Sequence, residues 1–187
     1  MLDSVVRIPG PFRLIHGETA TLFDVLLVYV VGIVFGLLAL LFAFTRVEAL
    51  PVWKAALLFV LAADVSGGVV AGFTAGTDAY YGSRPGLLWG FIFMHFIEPG
   101  LLFLLFDGKV AYWIFLYAFT VAAASLVTII PGRARQQGAA TALVVIGIVI
   151  LLPIGLSTPF LAWFGPVYML KLILGFAVRR SEQHWEP

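Results

Sequence analysis

The chain has 187 residues, a formal net charge of +1 and no cysteine; 62% of its residues are hydrophobic and 11% are charged. A single soluble core of this length cannot absorb so much apolar surface, so the bilayer must act as solvent. The lack of cysteine excludes thiol catalysis, disulfide exchange and thiolate metal sites, and the near-neutral charge makes nucleic acid an unexpected partner.

Backbone polar groups in lipid must be satisfied internally, which leaves helices or a closed barrel. The apolar runs are too long and unbroken for alternating barrel strands. The expected fold is therefore all-α: a polytopic integral membrane protein, a six-helix transmembrane bundle forming one domain over 1–187, with kinks in helices three and six.

Residues 1–20 contain VVRIPGPFRLIHGET, which mixes apolar residues with Arg7 and Arg13 and is broken by Pro9-Gly10-Pro11. This reads as a segment lying along the cytoplasmic interface. The first long run starts at Leu22 and exceeds a signal-peptide core, so it is expected to remain as a span. Thr21 and Asp24 have the spacing of a helix cap.

The spans are predicted at 22–44, 52–74, 86–106, 109–130, 138–156 and 160–178, with 179–187 as a cytoplasmic tail. Breakers separate them: Pro51, Arg84-Pro85-Gly86, Asp107-Gly108, Pro131-Gly132 and Ser157-Thr158-Pro159. Pro153, Pro159 and Pro166 argue for a helical hairpin over one long fused helix at the end of the chain.

With both termini on one side, that side carries Arg7, Arg13, Arg84, Arg133, Arg135, Arg179 and Arg180, against Arg46, Lys54 and Lys109 opposite. The positive-inside rule then predicts a multi-pass protein of the inner cell membrane with cytoplasmic termini. Trp53, Trp113 and Trp163 fall at the outer interface and Trp89 at the inner one, where amphipathic rings prefer to sit.

Four ionisable residues interrupt the spans: Asp64 in LAADVSGG, His95 and Glu98 in FMHFIEPG, and Lys171 in MLKLIL. Each charge at mid-bilayer costs roughly 2.5–3.5 kcal/mol on insertion scales, which makes them the functional lead. At about 1.5 Å rise per residue, Asp64, Glu98 and Lys171 lie about 16–18 Å into their spans, and His95 is one turn shallower than Glu98 on the same face. A common midplane site follows, with Lys171 paired to a carboxylate, Asp64 first and Glu98 second.

Gly68 and Gly72 continue the Asp64 face at GxxxG spacing, so this face is expected to pack against protein. Pro99 cannot donate to the His95 carbonyl, and Pro166 cannot donate to that of Ala162, so a kink and a free acceptor are expected at each place.

Three chemistries can be built from this set. The four residues could bind or transport a small or lipophilic ligand or ion, with proton coupling through Asp64, His95 and Glu98. His95, Glu98 and Asp64 could alternatively hold Zn²⁺ or another divalent metal, giving a metal-assisted enzyme acting on a lipid. A structural role for the network is the third reading. Tyr80, Tyr81 and Arg84 in GTDAYYGSRPG are candidates for binding a lipid headgroup at the cytoplasmic mouth. The expected partners are the bilayer and a small lipophilic ligand or ion; the small size is compatible with a homo-oligomer. HExxH, serine-elbow, P-loop and dinucleotide motifs are absent from the sequence.

Overall fold

The computed structural model describes residues 2–154 and 158–179. The N-terminal segment folds back on itself. Strand β1 (Val5–Arg7) pairs antiparallel with β2 (Thr19–Thr21), and a 3₁₀ turn (Gly10–Phe12) and the one-turn helix α1 (Arg13–His16) lie between them. Strands of three residues carry no readable alternation, which is why composition suggested only an interfacial segment. Gly17 ends α1 at φ 77°, and a Cβ there would stand 2.1 Å from the Gly76 carbonyl oxygen. Backbone conformation and close approach both demand glycine.

Six helical stretches among the described residues are long and apolar enough to cross a membrane. The first is α2 (Leu22–Phe44), whose start is capped as the sequence suggests: Thr21 Oγ1 accepts the Asp24 backbone N–H at 3.1 Å. Its buried positions Val28, Gly32, Gly36, Ala39 and Ala43 recur every three or four residues and form one narrow seam. That seam meets α3 (Val52–Gly72), and a Cβ on Gly32 would lie 2.9 Å from the Ala63 carbonyl oxygen. Small residues here let two backbones approach without a side chain between them.

A short helix, α4 (Ala75–Gly82), leads into the third span, which is broken as Pro99 implies. It consists of α5 (Pro85–Met94) and α6 (Ile97–Phe106), with His95 and Phe96 outside both. The fourth span is α7 (Val110–Ile129). The fifth, α8 (Arg133–Ile154), begins five residues before the predicted 138, because helix-favouring RARQQ continues the helix past the apolar run. Its predicted end at 155–156 lies outside the described residues, as do 180–187 of the predicted tail.

The sixth span changes helix type twice. A 3₁₀ turn (Pro159–Leu161) precedes α9 (Phe164–Met169), and a π-helical segment (Leu170–Phe176) completes the crossing. Pro166 sits in the first turn of α9, where a helix has unused N–H positions, so the interruption falls ahead of it. This span packs against α3, α7 and α8, and Phe164, Tyr168, Met169, Leu172 and Ile173 are fully buried. It is the central helix of the bundle.

Candidate functional site

The π-helical segment places Lys171 against the glycine face of α3. A Cβ on Gly68 would stand 2.5 Å from Lys171 Cε, and one on Gly72 would stand 2.7 Å from the Gly175 carbonyl carbon. Gly68 therefore provides the channel in which the lysine stem lies. Gly72 provides the contact that sets the depth of the sixth span against α3.

The ammonium ends between two carboxylates from different helices. Lys171 Nζ donates to Asp64 Oδ2 at 2.8 Å and to Glu98 Oε1 at 2.7 Å. Both bonds are charge-assisted and within the ordinary range. Their surroundings differ: the side chains of Lys171 and Glu98 are 3% and 9% exposed, whereas that of Asp64 is 49% exposed. The cluster is sealed on two sides and open on the third.

His95 completes the group. Its Nδ1 bonds to the Phe91 carbonyl, an acceptor, so Nδ1 carries the hydrogen, and in the neutral ring Nε2 keeps a lone pair. That lone pair faces Glu98 Oε1 across 3.6 Å. A proton on Nε2 would pair the ring with the carboxylate as an ion pair. Glu98 Oε2 is buried and has no hydrogen-bond partner among the described residues.

The carbonyl freed by Pro99 is occupied. Tyr168, three residues before Lys171, donates its hydroxyl to the His95 oxygen at 2.8 Å. One face of the sixth span thus supplies the third span with both a cation and a hydroxyl donor to its backbone. Tyr168 could have been found from the sequence by asking which hydroxyl reaches the acceptor that Pro99 exposes; alone, a tyrosine in an apolar helix reads as core.

Asp64, His95 and Lys171 all border a cavity of about 410 Å³. Apolar residues from α2 and α3 form much of its wall, the rings of Tyr29, Phe91 and Phe176 contribute aromatic faces, and Pro11, Leu14 and Ile15 of the N-terminal segment close one end. The Phe91 and Phe176 rings stack at 4.2 Å, and Phe91 lies 4.0 Å from the His95 ring. The volume is that of a pocket for a small molecule.

The N-terminal segment is held in place by side chains from α4. Thr77 Oγ1 donates to the Ile15 carbonyl at 2.6 Å, and Tyr81 Oη donates to that of Leu14 at 2.9 Å. Burial pushes the Tyr81 phenol above its ordinary pKa, with Tyr80 adding to the effect, so it remains a donor. His16 is buried against Tyr29, and burial holds its imidazole below the ordinary value although Asp24 opposes this.

The headgroup candidates separate. Tyr81 is buried in the bonds just described, whereas Tyr80 and Arg84 line a surface hollow of about 440 Å³. Arg84 lies 4.3 Å over the Tyr80 ring and pairs with Glu18 at 2.6 Å. For the metal candidates, no three His, Asp or Glu side chains among the described residues form a group able to hold an ion. The Lys171 ammonium fills the space between the two carboxylates.

No family model, curated protein or solved structure matches this chain.

Proposed function

We propose that this membrane protein binds a small lipophilic ligand in the cavity beside Asp64, and that the Asp64–Lys171–Glu98–His95 cluster exchanges a proton as the ligand enters or leaves. The observation that carries this reading is the open side of the cluster. A purely structural ion pair gains from being enclosed, because an open flank admits water that weakens it. Here Lys171 and Glu98 are enclosed while Asp64 borders an aromatic-walled cavity.

The division of labour follows from the contacts. Lys171 holds both carboxylates in position, Asp64 presents its carboxylate to the ligand, and the gap between His95 Nε2 and Glu98 is the proton's resting place. The ring stack of Phe91 and Phe176 supplies apolar contact for the ligand body. The basic residues around the N-terminal end of the bundle support cytoplasmic termini in an inner cell membrane. Tyr80 and Arg84, in the hollow at that same end, are the side chains we assign to a lipid headgroup.

The test is native mass spectrometry of the protein purified in a mild detergent, beside Ile33→Trp, which adds bulk to the cavity wall from a half-exposed position on α2. Wild type should retain a small lipophilic molecule that Ile33→Trp lacks. Equal retention by both proteins would overturn the reading.

A further inference from the structure

The charges of the cluster do not balance. Two carboxylates meet one ammonium, and His95 adds no charge as long as its Nε2 is unprotonated. With both carboxyls ionised the site carries one net negative charge near mid-membrane, where uncompensated charge is costly. Glu98 Oε2, in a residue only 7% exposed, has no hydrogen-bond partner among the described residues, so Lys171 does not fully satisfy the enclosed carboxylate. A proton can balance the charge from within. A cation arriving through the cavity can balance it from the open side, at Asp64.

From this geometry we infer that the cavity ligand is a lipophilic organic cation that competes with a proton for the cluster; this rests on the ligand-binding reading above and names the substrate class. The cationic head lies against the Asp64 carboxylate, and the apolar body lies among the rings. Aromatic faces attract a cation through their quadrupoles, and Tyr29, Phe91 and Phe176 all border the space. An anionic ligand would meet Asp64 with repulsion, and a neutral one would displace no proton from the cluster.

The competition is chemically closed. When the cation binds, the proton leaves the His95–Glu98 gap and the cluster stays neutral; when the proton returns, the cation is released. The titratable and charged groups facing Asp64 are Lys171 from the sixth span, His95 and Glu98 from the third and Tyr29 from α2; the N-terminal residues bordering the cavity, Pro11, Leu14 and Ile15, contribute none.

The test uses the full chain in lipid nanodiscs with benzyltriethylammonium, an uncharged analogue in which carbon replaces the nitrogen, and an aryl sulfonate of similar size. Calorimetry in two buffers of different ionisation enthalpy reads affinity and proton release together. The ammonium should bind and release up to about one proton, and its Kd should fall about tenfold per pH unit across the titrating range. Asp64→Asn should lose this pH dependence, and Ile33→Trp should bind none of the three. Because wild type alone gives the pH slope, a poorly folding variant does not blunt the test. Equal binding of the uncharged analogue without proton release, or no binding of the ammonium, overturns the cation assignment and leaves the ligand cavity standing. Undiminished ammonium binding by Ile33→Trp overturns the cavity itself.

Discussion

The first and sixth spans solve opposite problems. Helix α2 is the most apolar of the six and buries one seam of small residues, with Leu37, Leu41 and Phe42 among the side chains it turns outward. The sixth span is the least apolar, yet it is the most enclosed. In this pair the more apolar helix is the outer one and the less apolar helix the inner one. A helix wrapped by its neighbours can carry Lys171 and Tyr168 because those neighbours, not lipid, supply the partners.

The contrast breaks first at Lys171. Lys171→Met leaves two carboxylates beside each other, one of them enclosed, and should cost about 3–5 kcal/mol in thermal or denaturant unfolding in detergent. Asp64→Leu alone should cost less, because Asp64 is half exposed and Lys171 keeps Glu98 as a partner. Combining the two should recover part of the Lys171→Met loss. Strictly additive losses would mean that the ammonium and Asp64 are energetically independent.

A smaller effect is expected at the backbone brace. Tyr168→Phe strands the His95 carbonyl and should cost about 1–3 kcal/mol. Pro99→Ala in the same chain returns an intrahelical N–H to that carbonyl, so the double variant should be more stable than Tyr168→Phe alone. If Pro99→Ala gives no rescue, the hydroxyl matters for something other than the carbonyl.

On the outer helix the same measurement should register almost nothing. Leu41 is 59% exposed on the outer face of α2, and Leu41→Ala should change stability by about 0.5 kcal/mol or less. A loss of several kcal/mol would place a protein surface where the isolated chain has lipid, and would point to a second copy against α2.

Much of this was legible before any coordinates. Long apolar runs located the spans, and Pro99 located both the break in the third span and the acceptor it exposes. The Asp64–Gly68–Gly72 face marked where another backbone would come close. Small residues say that something approaches without saying what, and only the expected pairing of Lys171 with Asp64 pointed to the sixth span. The cavity was also hidden, since its walls come from the N-terminal segment and four spans, and a void between distant elements leaves no local pattern. Nor does LKLILGF announce a π-helix; its residues suit an α-helix equally well.

Ribosomal synthesis runs from the N-terminus, so of these six spans the sixth reaches the membrane after the other five. Until it arrives, Asp64 and Glu98 share a nascent bundle with no ammonium, and the His95 carbonyl has no donor. The five-span intermediate is thus an unfinished object whose defects lie at one spot, and a single helix repairs them all. Quality-control proteases that recognise unpaired polar groups in membranes would have a well-defined window in which to act, and it would close when Lys171 and Tyr168 dock.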